Sequence, residues 1–75
     1  MTVLEVLDYK PLNGNTAVIV KGDGENLKNG IGILDSNGKP YVLISVGMSS
    51  PVSEYSEKST PILVEGKFAS DRIFV

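Results

Sequence analysis

Hydroxyls and carboxylates are the side chains here that could do chemistry, and what they lack decides most of it. Serine is plentiful (Ser45, Ser49, Ser50, Ser53, Ser56, Ser59), but the chain holds no histidine and no cysteine. A serine nucleophile needs a base beside it, and the imidazole of most nucleophilic triads is missing. Zinc sites of the Cys/His kind, disulfides and thiol redox chemistry go with it. The lysines and carboxylates show no spacing that would pair them for acid–base work. No catalytic residue is expected, and the chain reads as a non-enzyme.

Metal and phosphate sites fare no better. Asp23 with Glu25, or Asp35 with Asn37, could offer oxygens to calcium, yet a calcium loop draws six to eight oxygens from about a dozen residues. Asp35-Ser36-Asn37-Gly38 stops after four; turn chemistry accounts for Asp, Asn and Gly there without a metal. Gly22-Asp23-Gly24-Glu25-Asn26-Leu27 fails the dinucleotide fingerprint at Leu27 and has no helix behind it to hold a pyrophosphate. No cofactor and no metal are expected.

The elements that must position any remaining site are strands. Glycines break the 75 residues into short segments. Three follow asparagine (Asn13-Gly14, Asn29-Gly30, Asn37-Gly38), the strongest short-range turn signal. Between the breaks lie β-formers. Val3, Leu4, Val6, Leu7 and Tyr9 make a first strand, with its inner face on 4 and 6 or on 3, 7 and 9. Residues 16–21 make a central one, and Ile31, Ile33 and Leu34 another. The turn at 35–38 leads into residues 41–46, the best hairpin of the sequence. Ile62, Leu63 and Val64 form a later strand opened by Pro61, which cannot donate to a ladder. Residues 72–75 close the chain. No apolar helical stripe outlasts one turn, and one turn at 50–55, capped by Ser50 with Pro51 following, is the most helix expected. The reading is a single all-β domain over residues 1–75, a small closed or partly open β-barrel of about six short strands without significant helix.

The order of segments resembles a known family. Ala17-Val18-Ile19-Val20-Lys21-Gly22 is followed by Leu27-Lys28-Asn29-Gly30-Ile31-Gly32-Ile33. Next come Ser45-Val46-Gly47-Met48, a long polar loop, Ile62-Leu63-Val64-Glu65-Gly66-Lys67-Phe68 and Asp71-Arg72-Ile73. This is similar to the second, β-barrel domain of translational GTPases such as elongation factor Tu, over most of the chain. Two positions depart from that pattern: Ile31 stands where an acidic residue usually follows the turn glycine, and Ser59-Thr60-Pro61 replaces the usual Gly-Asp pair. No nucleotide-binding motif accompanies the barrel, so GTP hydrolysis is not implied.

Residues 47–60 are long for a loop in so small a domain, and such loops tend to carry function. Met48, Val52 and Tyr55 either fold back as a lid or present Tyr55, with Glu54, Glu57 and Lys58, to a partner. The candidate partner-binding residues are Met48, Val52, Glu54, Tyr55 and Lys58. Nine acids against seven bases give a net charge of −2. The cations Lys10, Lys21, Lys28, Lys39, Lys58, Lys67 and Arg72 are scattered, so RNA is a lesser candidate than protein. An apolar last segment, Ile73-Phe74-Val75, suggests an edge that a second copy would complete. The N-terminal residues carry no signal peptide and no run reaches membrane-spanning length, so a cytoplasmic protein without membrane or disulfide-linked partners is expected. The function expected is a non-catalytic binding module, with an RNA- or ribosome-associated protein as the alternative.

Overall fold

In a computed structural model the chain is all-β. The structure describes residues 2–22, 27–47, 50–51 and 58–75, with only the backbone at 50, 51 and 58. The strands are β1 (Val3–Leu12), β2 (Asn15–Lys21), β3 (Gly32–Leu34), β4 (Pro40–Val46), β5 (Ser50–Pro51), β6 (Lys58–Val64) and β7 (Arg72–Phe74). Six of them close a ring, β1-β2-β6-β4-β3-β7 and back to β1, with every pairing antiparallel. The seventh, β5, continues the line of β4 along β6, pairing Ser50 with Ser59 and Pro51 with Lys58. Closure removes the free edges that an open sheet of this size would expose.

Alternation dictates the core. Thr16, Val18 and Val20 of β2 and Thr60, Ile62 and Val64 of β6 point inward and are buried, as are Ile33, Leu43 and Ile73. Phe68, from the segment after β6, is buried between Tyr9 and Tyr41, with ring centroids 6.4 and 5.1 Å away, both edge-to-face. It plugs one end of the barrel with the geometry aromatic quadrupoles favour.

The two possible inner faces of the first strand turn out both to be used. Val6 pairs with Val20, and Asp8 with Ile19, so Leu7 is an extra residue, a β-bulge. Ahead of it Leu4 and Val6 pack on the core; beyond it the parity has switched and Tyr9, opposite Val18, turns toward Phe68. A bulge shifts alternation by one, which is why neither single register fitted the sequence.

Three further expectations are corrected. Pro61 does not open its strand but sits in mid-β6, between Ile19 on one side and Gly47 on the other. Its carbonyl accepts the Gly47 amide at 2.7 Å, so its donorless nitrogen faces the junction of β4 with β5. Ser50 and Pro51 are strand, not the start of a helical turn. The apolar C-terminal segment leaves no edge for a second copy: β7 is paired by β1 and β3, and Val75 and Thr2 exchange both backbone bonds (2.8 and 2.9 Å).

Candidate functional site

The expected partner-binding loop is shorter than its sequence suggested. Gly47 is tied to Pro61, residues 50–51 and 58–60 are strand, and Ser59 and Thr60 are buried. Met48, Val52, Glu54 and Tyr55 lie outside the described residues, as does the Lys58 side chain.

Among the described residues, the buried polar side chains are committed to the fold. The Thr16 hydroxyl donates to the Gly66 carbonyl (2.8 Å) and accepts from the Phe68 amide (2.9 Å). Thr60 donates to the Gly22 carbonyl, and the Ser70 hydroxyl accepts from the Ser36 and Arg72 amides. The Asp35 carboxylate accepts the Asn37 and Lys39 amides (2.8 and 2.9 Å) and the Tyr41 hydroxyl (3.2 Å). The Lys39 amide foremost, with the Asn37 amide and Tyr41 hydroxyl, holds its carboxyl below the ordinary value despite burial, which acts the other way. Burial, and then the hydrogen bond to the Asp35 carboxylate, push the Tyr41 hydroxyl above its ordinary value. Asp35 is thus a turn residue, as its Asx pattern implies.

What remains for recognition is the outside of the barrel, where β4 is unusual. Its inward residue Leu43 is buried, yet outward Val42 is apolar and 45% exposed, and so is Ile44, the extra residue of a bulge before Ser45, at 38%. On the neighbouring strand β6 the outward positions are Pro61 and Leu63, and on β2 they are Ala17 and Ile19. An antiparallel sheet with one wet face normally alternates apolar and polar residues. Here three adjacent strands keep apolar side chains on the wet face, rimmed by Asp8, Lys10, Lys21 and Glu65.

At one end of this face lies an open groove of about 550 Å³. Lys39 and, from β4, Pro40, Tyr41 and Val42 line it, with Gly32 of β3 on one flank and Glu65, Gly66 and Lys67 on the other. The last wall is held in place from two directions. The Glu65 amide donates to the Val42 carbonyl (2.9 Å), while Asn15 and Thr16 of β2 hold Gly66. Gly66, at φ +82°, makes the turn that carries Lys67 back over the barrel end. Gly32 has no side chain, so its flank stays low. The Lys39 ammonium lies 5.3 Å from the centre of the Tyr41 ring, which packs edge-to-face with Phe68. A second depression, of about 220 Å³, is lined by Asp8, Lys10, Ala17, Ile19 and Pro61 of the outer face together with Tyr9, Val18 and Ile62.

Sequence reading treated Lys39 and Lys67 as scattered charges; the fold brings both to one groove with Tyr41. The missed signal is the run Tyr41-Val42-Leu43-Ile44, apolar at both parities, where a bulge at Ile44 breaks the alternation. No protein-family model, curated protein or solved structure matches the chain. No described helix is long and apolar enough to cross a membrane.

Proposed function

We propose that this chain is a non-catalytic binding module, a small barrel similar to the second domain of translational GTPases, which takes up a protein partner on its outer β4 face. One observation carries the reading: Val42, level with Glu65, and Ile44, bulged out next to Leu63, lie exposed on β4, where burial inside the barrel gains nothing. An apolar centre with a charged rim is the anatomy of a protein interface. The engagement of Thr16, Asp35, Thr60 and Ser70 in structural hydrogen bonds supports a scaffold rather than a reaction centre. The closed six-strand ring is compatible with the translation-factor resemblance.

The test is capture of partners from a lysate by the wild-type chain and by a V42D/I44D variant. Both substitutions are on the surface, so the fold should hold, and the variant should lose a protein the wild type retains. Equal recovery by both contradicts the reading. An RNA-binding role is the second reading, and it would show as affinity for RNA that falls steeply with salt as counterions are released.

A further inference from the structure

We propose that Asn13, alone of the three asparagines that precede glycine, is a modification site. Its side-chain amide is lost through a succinimide formed with Gly14, which water opens to aspartate or isoaspartate. The chemistry needs the backbone nitrogen of the next residue to reach the asparagine Cγ, and glycine hinders that approach least. Asn13, Asn29 and Asn37 all precede glycine, and both residues of each pair are exposed. Hydrogen bonding, not burial, therefore separates them.

At Asn29 both reacting groups are held. Its Oδ1 accepts the Val46 amide (2.9 Å), and the Gly30 amide donates to the Leu43 carbonyl (2.7 Å). At Asn37 the Gly38 amide donates to the Asp35 carbonyl (3.0 Å), and the Asn37 amide to the Asp35 carboxylate (2.8 Å). Among the described residues, neither the Asn13 side chain nor the Gly14 amide has a partner. Leu12 pairs with Asn15, leaving a two-residue loop with φ of +49° and +84°, a type I′ turn. Turning over the peptide unit between 13 and 14 converts it to type II′, and no ladder bond breaks because Leu12 and Asn15 stay paired. Gly14 accepts the change in the sign of φ that this requires. In a type II′ turn the first central residue has ψ of about −120°, which swings the Gly14 nitrogen alongside the Asn13 Cβ. That is the torsion a five-membered ring needs.

The Gly14 amide gives up its proton to hydroxide, and its nitrogen forms a bond to Asn13 Cγ. The Cγ–Nδ2 bond breaks, and the leaving nitrogen takes a proton from water and departs as ammonia. Water then adds to one of the two ring carbonyls. Cleavage at Cγ gives aspartate; cleavage at the main-chain carbonyl gives isoaspartate, whose backbone runs through the former side chain. Nothing is oxidised or reduced. Both products add a negative charge, but only isoaspartate adds a methylene to a turn whose length sets the register of β1 on β2. Asn15, two residues on, accepts the Gly66 amide (3.2 Å), so a lengthened turn disturbs the groove wall at residues 65–67.

The experiment incubates the full chain, folded and in urea, at mildly alkaline pH and follows each Asn-Gly peptide by mass spectrometry. In the folded chain Asn13 should convert about tenfold or more faster than Asn29 and Asn37, the retardation that two hydrogen bonds impose. In urea the three rates should come together. Asn29 or Asn37 converting as fast as Asn13 in the folded chain, or an Asn13 that stays intact there, overturns the proposal. The isoaspartyl fraction, separated by chromatography, should shift the Gly66 amide in a nitrogen-15 spectrum. N13D, which adds the charge alone, should leave it in place. The same Gly66 position in both would overturn the link to the groove wall. None of these outcomes depends on the docking face above.

Discussion

Asp35 shows how one side chain can hold a turn and set a pH dependence. Its carboxylate ties the amides at 37 and 39 and the hydroxyl at 41, so it orients Tyr41 and, through the backbone, Lys39. Because its folded-state value is lowered, chiefly by the Lys39 amide, the ionised form is the one the fold favours. That stability is present above the unfolded value of about 3.9 and is lost as pH falls through the lower folded value. Denaturant melts of wild type and D35N should therefore differ at pH 7 and converge as the pH drops below about 3.9. A gap that stays constant down to the acid limit would mean the carboxylate charge contributes nothing. Tyr41 runs the other way. Its raised value favours the neutral phenol, so its contribution holds below the ordinary value of about 10 and fades as pH rises through the higher folded one.

Elements explain both what could be read in the sequence and what could not. The turns were legible because Asn13-Gly14 and Asn37-Gly38 demand it: Asn13 and Gly14 lie at φ +49° and +84°, and Gly38 at +81°. The hairpin from β3 to β4 and the β2 strand were legible from alternation. The bulge at Leu7 was not, since a one-residue insertion leaves only two half-patterns of opposite parity. Pro61 was misread for a local reason. Proline is excluded from the middle of a ladder by its missing donor, and here it meets Gly47 at the junction of β4 with β5, where the partner of β6 changes. A Cβ on Gly47 would lie 2.7 Å from Pro61 Cγ and 3.2 Å from its carbonyl oxygen. The two residues are one feature read as two. G47A should cost about 1–3 kcal/mol through overpacking, and P61A in the same chain should restore much of it, as thermal melts of the single and double variants would show. Additive losses would mean the contact is not what fixes glycine there. The groove escaped sequence reading because its parts, residues 32, 39–42 and 65–67, meet only when β6 pairs with β4.

On the scale of the whole molecule the barrel is unevenly closed. β1 and β2 pair over much of their length, whereas β3 and β7 share the single partnership of Leu34 with Phe74. Side chains close that seam where hydrogen bonds are few: Ile33 and Ile73 are 1% and 0% exposed. I73A should cost about 2–5 kcal/mol, a large share of the margin of so small a domain. Hydrogen exchange should find the amides of β3 and β7 opening ahead of those in β2 and β6. Uniform protection around the ring would show the seam to be no weaker than the rest. The same ring leaves β2, β6 and β4 as a well-braced wall, and its outer face is where Val42 and Ile44 sit. Rigid elements presenting an apolar face suit recognition, because little ordering entropy is lost on binding.

That face is the central claim, and amide shift mapping with the captured partner tests it most directly. A partner retained by wild type and lost by V42D/I44D should perturb Gly32, Val42, Ile44 and Gly66 while leaving the amides of β1 and β7 in place. Perturbations gathered on β1 and β7, with the β4 amides unmoved, would contradict it.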